Sequence, residues 1–454
     1  MIVAFLSVLP PDIVPSFLRA SVLSILAVLL NGVLLPRLIT SRGTRRGHLL
    51  WAMISLPFLT PPLLTAYAYT TPFLHLARYP WLEEVAYASL VFLRVYPLAL
   101  LAGALIPRRL SEEGKHCQAL AVDHGLPAWS FRWRHLEPVM LVSALLVFLY
   151  AFHEFEMATF LQRPAWTVAM FDAQAQGYAL GVTLKNLLPL ALSQTVVILA
   201  LFRLVERGDA AANVSQKSDR SWMIWVYAAV AACLFSIIPV LLILKSAIRG
   251  LPSLSSTFSM QREVGDSLIV AFVAGTLGFL LAKGLSQLRS KVLLAVCLMP
   301  GLLGTLLLSL GLLGLFQWPG LMSFRDRPIP LVVGLVLALL PLLTLLAVLA
   351  QRRDQSDASW SAQLMGTRRL CWAYGRGPYL AVWACGFYLA YFDVTMSKIL
   401  APASMTPIMG RLYDLMHYGR DTMLSAYVLV AVAVPFCILA LATALGYGLT
   451  SRRG

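Results

Sequence analysis

The sequence contains few charged residues for its length. Lys, Arg, Asp and Glu make up 13% of the 454 residues, whereas soluble globular domains carry about 25%. Hydrophobic residues account for 59% of the chain and form long apolar runs. Because a helix of about 20 apolar residues crosses the hydrocarbon core of a bilayer, this composition excludes an ordinary soluble domain and indicates an all-α polytopic membrane protein.

Cysteine is also scarce, and its placement excludes two common cysteine-based devices. None of the six cysteines falls in a segment predicted to face outward, where oxidising conditions would favour a disulfide. No C-x-x-C or related Cys/His ligand spacing occurs, so neither a structural zinc site nor any other metal site is assigned. The phosphate loop G-x-x-x-x-G-K-[ST] is absent as well, so we expect no ATP hydrolysis in this chain.

Eleven apolar segments are predicted to be membrane-spanning helices. A polar stretch over 206–221, "ERGDAAANVSQKSDRS", is the predicted linker between two halves. The first half, 1–205, contains about five spans, and the second, 222–454, contains about six. The predicted spans are 17–36, 49–70, 85–106, 139–160, 184–204, 222–245, 265–283, 291–315, 329–350, 380–399 and 423–447.

The positive charge of the chain, +15 in total, indicates its orientation. With the N-terminus outside and the C-terminus inside, 23 of the 36 Lys and Arg residues lie in the inward segments. Basic residues are enriched in the cytoplasmic loops of membrane proteins. The basicity therefore orients the protein in the lipid bilayer, and we do not expect a nucleic-acid partner. The inward segments are 37–48, 107–138, 203–220, 283–291, 351–379 and 448–454.

Two similar stretches place an acid inside an apolar run. "HEFEMATFLQRPAWT" (153–167) aligns with "FDVTMSKILAPASMT" (392–406) at an offset of 239, which brings Glu154 opposite Asp393. Earlier landmarks of the two halves align at offsets of 243, 241 and 240, as expected of a duplication with small deletions. Matching elements are six predicted spans apart, so both copies cross in the same direction. The sequence thus predicts two parallel pseudo-repeats, in contrast to inverted ones.

Two long inward loops share the spacing of a glycine and a proline. Gly125 precedes Pro138 by 13 residues, and Gly366 precedes Pro378 by 12. Each loop alone would suit a basic connection with aromatic anchors at the interface. Their paired occurrence on one face suggests two equivalent docking sites for a cytoplasmic partner. The loops are residues 112–138 and 356–380.

These loops resemble the "EAA" loop of ABC importer permeases. "ALAVDHG…W…P" (119–138) is similar to that pattern, and "WSAQLMG…P" (360–378) follows it less closely. The family's glutamate position is occupied by Ala119 in one copy and Trp360 in the other. Together with the acid-containing stretches, the chain resembles the fused two-half permeases of the ferric-iron and thiamine type over nearly its whole length.

The resemblance implies a type I ABC importer permease fold and a division of labour between subunits. This chain would move a small solute, with ferric iron favoured, from periplasm to cytoplasm across a bacterial inner membrane by alternating access. Two separate ATPase subunits would bind ATP and Mg²⁺, and a periplasmic solute-binding protein would deliver the solute. The coupling loops would present Ala119, Ala121, Asp123, Gly125, Ala362 and Gly366 to the ATPases.

The intramembrane acids allow two interpretations. Glu154 and Asp393 could line the translocation path, together with His153 and Glu156, where they would suit a cationic solute. Alternatively they could be buried packing partners of a base or of helix termini, and Arg94 is within plausible reach of Glu154 or Glu156. His153 and Glu156 are three residues apart and could share one helix face, but two ligands on one helix are weak evidence for a metal site.

Two other functions are compatible with the same sequence. A secondary transporter driven by an ion gradient would use the intramembrane acids as proton or cation carriers. A membrane protein descended from a permease but no longer transporting would explain the missing glutamates of the inward loops. The paired loops favour the ATPase-coupled function.

Overall fold

The computed structural model describes residues 12–40, 45–105, 128–207, 222–252, 258–288, 290–354, 377–416 and 422–451. Within these ranges every regular element is helical and no strand is present. Many large apolar side chains along the helices are exposed, for example Val196 and Leu18 at 67% and 58%. An apolar surface of this extent is unstable in water and requires a bilayer around it. The predicted all-α, multi-pass membrane class is confirmed.

The chain divides into two compact units. Unit 1 comprises Met1–Ala179 and Lys185–Leu241, and unit 2 comprises Leu180–Leu184 and Leu242–Gly454. The linker predicted over 206–221 lies mostly outside the described residues. The packing boundary falls later, within a helix, because the segment that begins at Trp222 packs on helices of unit 1.

Unit 1 contains long helices, a bent pair and two short helices near its acid-containing stretch. Proline and glycine interrupt the apolar runs and set several of these boundaries. The helices are α1 (Ile13–Thr40), α2 (Arg45–Leu59), α3 (Pro62–Leu76), α4 (Pro80–Leu105), α5 (Ala128–Phe152), α6 (Glu156–Phe160), α7 (Trp166–Ala175), α8 (Leu180–Arg207) and α9 (Trp222–Ala232), followed by a π turn (Cys233–Ile237) and α10 (Ile238–Gly250). The first five residues of α8 and the part of α10 from Leu242 onward belong to unit 2.

Unit 2 has helices of similar length and order. A long helix comes first, then a bent pair, another long helix, a helix that ends near an acid, two short helices and a last long helix. They are α11 (Phe258–Leu285), α12 (Lys291–Leu302), α13 (Thr305–Leu315), a short 3-10 turn (Met322–Phe324), α14 (Ile329–Asp354), α15 (Gly377–Tyr391), α16 (Val394–Leu400), α17 (Ile408–Met416) and α18 (Thr422–Ser451).

The described helices provide six to nine candidate membrane spans. Six are long and apolar enough individually, and three more result if each bent pair counts as one span. The fourth and fifth predicted spans coincide with shorter apolar stretches, Met140–Phe152 and Leu190–Leu199. Each of the eleven predicted segments therefore coincides with a helix or a bent pair, while the count of eleven complete crossings stays a prediction.

Two of the three bent pairs, α2–α3 and α12–α13, have a local cause in the sequence. The α2–α3 pair bends by 74° at Thr60, Pro61 and Pro62, where proline disfavours a helical residue before it and supplies no N–H. The α12–α13 pair bends by 97° at Gly304, whose φ of +91° suits glycine. Both breaks leave helix ends inside an apolar layer, so their polar backbone groups need partners from the protein.

Three helices form the centre of each unit. In unit 1, α1, α4 and α5 pack against one another, and in unit 2, α11, α14 and α15 do the same. In each unit the second arm of the bent pair also packs on the short helix that follows the acid, α3 on α6 and α13 on α16. This arrangement brings the broken span and the acid-containing stretch together.

Candidate functional site

Glu154 lies at a break between two helices of unit 1. Helix α5 ends at Phe152 and α6 begins at Glu156. The Glu154 carboxylate accepts hydrogen bonds from the first turn of α6, with Oε1 2.8 Å from Met157 N and Oε2 3.0 Å from Ala158 N. Its side chain is only 2% exposed. The carboxylate thus satisfies helix N–H groups that have no partner in their own helix.

Helix α4 supplies two further partners to Glu154. The Tyr87 hydroxyl donates to Oε2 at 2.9 Å, and Arg94 Nη1 lies 3.5 Å from Oε1. The sequence analysis identified Arg94 as the base within reach. A buried carboxylate with an opposite charge and three hydrogen bonds has compensated much of its desolvation cost. These contacts favour a positioning role for Glu154.

The first two residues of α7 are hydrogen-bonded to the same break. The Thr167 hydroxyl donates to the backbone carbonyl of Glu154 at 2.7 Å, and the indole N–H of Trp166 donates to the Phe152 carbonyl at 2.7 Å. Both side chains are fully buried. They satisfy carbonyl groups at the end of α5 that no longer have a helical partner.

Asp393 occupies the corresponding position in unit 2. Helix α15 ends at Tyr391 and α16 begins at Val394. Asp393 Oδ1 accepts a hydrogen bond from Met396 N at 2.7 Å, the same i to i+3 bond that joins Met157 to Glu154. Both aligned acids therefore cap a helix at a break, Asp393 from the N-cap position and Glu154 from the residue before the N-cap.

A serine from the first helix of each unit caps the next short helix. In unit 1, Ser16 Oγ accepts from Trp166 N at 3.2 Å, at the start of α7. In unit 2, Ser267 Oγ accepts from Ile408 N at 2.7 Å, at the start of α17. Sequence reasoning missed both serines, because their partners lie 150 and 141 residues away and no local pattern indicates such a contact.

An arginine from the same first helix also contacts the loop in each unit. Arg19 donates to the carbonyl of Pro164 at 3.2 Å, and Arg262 donates to the carbonyl of Ser404 at 3.4 Å. Each loop is therefore attached to the first helix of its own unit by one serine and one arginine.

Charged side chains surround the loop of unit 1. Arg19 pairs with Glu84 at 2.6 Å, and Arg163 pairs with Glu83 at 2.6 Å and Glu84 at 2.7 Å. Burial lowers the pKa of Arg163, but its contacts with the two glutamates outweigh burial and raise the pKa above its usual value. In the sequence, the adjacent acids Glu83 and Glu84 near the start of α4 are the feature that could have indicated this network.

Unit 2 has a different set of charged contacts near its loop. Lys398 Nζ lies 2.6 and 2.7 Å from the two carboxylate oxygens of Asp414. Glu263 accepts a hydrogen bond from the Tyr427 hydroxyl and lies 3.8 Å from Arg411. The backbone contacts are thus alike in the two units, while their charged networks differ.

The other predicted site residues that the structure describes do not form a metal site. His153 Nδ1 lies 2.6 Å from the Leu149 carbonyl, which requires a proton on that nitrogen. Among the residues that the structure describes, no three His, Cys, Asp or Glu side chains form a group that could hold a metal ion. The predicted coupling residues lie outside the described ranges, namely Ala119, Ala121, Asp123, Gly125, Ala362 and Gly366.

No protein-family model matches the chain. No curated protein and no solved structure matches it either. The function therefore has to be argued from the repeated geometry within the two units.

Proposed function

We propose that this chain is the transmembrane permease subunit of an ATP-binding-cassette importer, built from two halves of common origin. The observation that carries the proposal is the acid-capped break that occurs once in each unit. In both units the acid caps a short helix, Glu154 through Met157 and Asp393 through Met396. In both, that short helix packs on the second arm of a bent pair.

The common order of the helices supports a duplication. Beginning at α1 in unit 1 and α11 in unit 2, eight helices follow one another in the same order. Their lengths are similar except that α5 has 25 residues and α15 has 15. The segment α9–α10 lies between the two series, and in the part of the chain that the structure describes no helix precedes α1 as its counterpart. A parallel repeat with one extra span is what the alignment of the acidic stretches predicts.

We propose eleven spans, with the N-terminus in the periplasm and the C-terminus in the cytoplasm of a bacterial inner membrane. The inward loops over 112–138 and 356–380 would each dock one ATPase subunit, which binds ATP and Mg²⁺. A periplasmic binding protein would deliver the solute and contribute much of its selection. Ferric iron is the first solute to test, because the acidic stretches resemble those of ferric-iron permeases.

The deciding experiment is to identify the proteins that accompany the chain. A tagged chain purified from native membranes in mild detergent should bring two ATPase subunits with it. Cysteines placed beside Gly125 and Gly366 should cross-link to those subunits, whereas a cysteine at Arg325, in a predicted outward loop, should not. If no ATPase is recovered by either route, coupling to ATP is wrong, and uptake should be tested for dependence on an ion gradient.

A further inference from the structure

The span formed by α9, the π turn and α10 contains a proline in its interior. Pro239 has no N–H, so the carbonyl of Phe235, four residues earlier, loses its helical hydrogen-bond partner. The N–H of Ile238 donates to the carbonyl of Cys233, five residues earlier, which is the π-helical bond. The carbonyl of Leu234 consequently loses its usual partner as well.

Helix α3 supplies hydroxyl groups to both of these carbonyls. Thr65 Oγ1 donates to Phe235 O at 2.8 Å, with both residues fully buried. The Tyr69 hydroxyl donates to Leu234 O at 2.5 Å. Thr65 and Tyr69 are four residues apart and so lie on one face of α3. Each of the two donors thus reaches one of the two carbonyls.

A third contact joins the break itself to the π turn. Thr60, at the bend between α2 and α3, lies with its hydroxyl oxygen 2.6 Å from that of Ser236. Both residues are at least nine-tenths buried. In hydrocarbon an unpaired backbone carbonyl costs several kcal/mol. Separating α3 from the π turn would take these partners from the two carbonyls and from the hydroxyls of Thr65, Tyr69 and Ser236, whereas Thr60 would keep its bond to the Leu56 carbonyl.

The corresponding arm in unit 2 is held differently. In α13 the Ser309 hydroxyl bonds within its own helix, to the Leu306 carbonyl. The other buried side chains of this helix are leucines, and the break before it lies at Gly304. Apolar contacts of this kind can slide without leaving polar groups unpaired, unlike the directional bonds of α3.

From these contacts we infer that the π turn is a latch that keeps the broken span of unit 1 attached to the α9–α10 span throughout transport. The latch consists of Thr60, Thr65 and Tyr69 on one side and the segment Cys233–Pro239 on the other. The extra span of the second half thereby has a role, because it holds α3 in place. The bent pair α2–α3 is then less mobile than the bent pair α12–α13. Its role during transport rests on the proposed function, whereas its presence in the resting protein does not.

The first test measures whether Pro239 creates the need for Thr65. Thr65→Val should lower the apparent Tm of the purified protein by about 2–4 °C, the shift expected for the loss of one net hydrogen bond. In a Pro239→Ala background, residue 239 has an N–H for Phe235, so the same change should lower Tm by less than half as much. Thr195→Val is the matched control, because the Thr195 hydroxyl bonds to Ala191 in its own helix. Equal losses from Thr65→Val in both backgrounds would show that the latch is absent.

The second test locks the latch covalently. The 2.6 Å separation of the Thr60 and Ser236 oxygens is compatible with the β-carbon spacing of about 3.5–4.5 Å in disulfides. In a chain whose six native cysteines are replaced, Thr60→Cys with Ser236→Cys should cross-link nearly completely on mild oxidation in membranes. Either single variant should remain a monomer without an internal bridge. A yield below about a tenth would contradict the latch.

The cross-linked chain also tests whether the latch stays closed. Uptake of radiolabelled ferric iron by cells should be unchanged by oxidation and by later reduction. Loss of uptake on oxidation that dithiothreitol restores would show that the latch opens during transport and would overturn the inference. If the unlocked chain takes up no iron, the proposed substrate is wrong, and the Tm and cross-linking results still decide whether the latch exists.

Discussion

Glu154 is both a helix cap and the partner of a base, and these two contributions can be separated. Arg94 Nη1 lies 3.5 Å from Glu154 Oε1, with the arginine side chain 26% exposed and that of the glutamate 2% exposed. We expect Glu154→Ala and Arg94→Ala to destabilise the protein less in combination than their separate effects predict, with a coupling of about 1 kcal/mol. Denaturant unfolding in micelles measures the stability of the parent, of each single variant and of the double variant. Additive losses would exclude the pairing.

Asp393 tests the contribution of helix capping in unit 2. Asp393→Ala removes the acceptor for Met396 N and should cost about 1 kcal/mol. Asp393→Asn keeps a side-chain oxygen in the same place and should cost less than half of that. The unfolding midpoints of the two variants measure these two stability costs. Equal costs would mean that the charge of Asp393, rather than its hydrogen bond, stabilises α16.

The residue-scale predictions from the sequence depended on local spacing. The alignment of Glu154 with Asp393 came from the sequence alone, and Arg94 was found by counting residues along two neighbouring predicted spans. Ser16 and Ser267 could not be found in this way, since neither is close in sequence to the helix it caps. Tyr87 was missed because tyrosines are common near membrane interfaces and one of them gives no specific signal.

At the scale of helices, close backbone contact within unit 2 depends on glycine. A β-carbon added at Gly275 of α11 would lie 2.7 Å from Phe387 N and 2.8 Å from its Cα in α15. Gly275→Ala should therefore force these helices apart and cost about 1–3 kcal/mol. Gly265→Ala, in the same helix but with open space around the added carbon, is the control and should change stability by less than about 0.5 kcal/mol.

Thermal unfolding in micelles compares the two glycine variants. We expect Gly265→Ala to melt at the same temperature as the parent and Gly275→Ala to melt at a clearly lower temperature. If both alanine variants melt with the parent, α11 and α15 are not in backbone contact. Small residues at such crossings are the usual basis of helix association in membranes, where the hydrophobic effect between helices is weak.

Helix positions were predictable from the sequence, but bends and helix partners were not. An apolar run is a local property, so its length predicts a helix directly. The 74° and 97° bends depend on whether prolines and glycines interrupt a helix or are absorbed in it. Pro57, Pro97 and Pro341 lie inside continuous helices, whereas Thr60–Pro61–Pro62 ends one. Which outcome occurs is decided by the neighbouring helices that supply or fail to supply polar partners.

For the molecule as a whole, the two units combine a common backbone plan with different charged networks. The repeated elements are those that satisfy backbone groups at breaks: an acid, a serine and an arginine in each unit. The unrepeated ones are the ion pairs around Arg163 in unit 1 and around Lys398 and Glu263 in unit 2. Backbone satisfaction is required wherever a span is broken within hydrocarbon, so it persists in both halves. The charged side chains around the loops are not under this constraint and differ between the two units.

The same distinction predicts how neutralising the two acids affects uptake. If the chain imports ferric iron as proposed, and if Glu154 and Asp393 hold the breaks, Asp393→Asn should keep uptake within about twofold of the parent, because the N-cap oxygen remains. Glu154→Gln should lower the amount of folded protein, since Arg94 and Tyr87 lose a charged partner, with uptake per folded molecule retained. Uptake and membrane abundance are measured together, with Asp326→Asn in an exposed loop as the matched control. Abolished uptake in Asp393→Asn at normal abundance would instead place that carboxylate on the path of a cationic solute, since charge in the membrane interior is costly and persists where a function requires it.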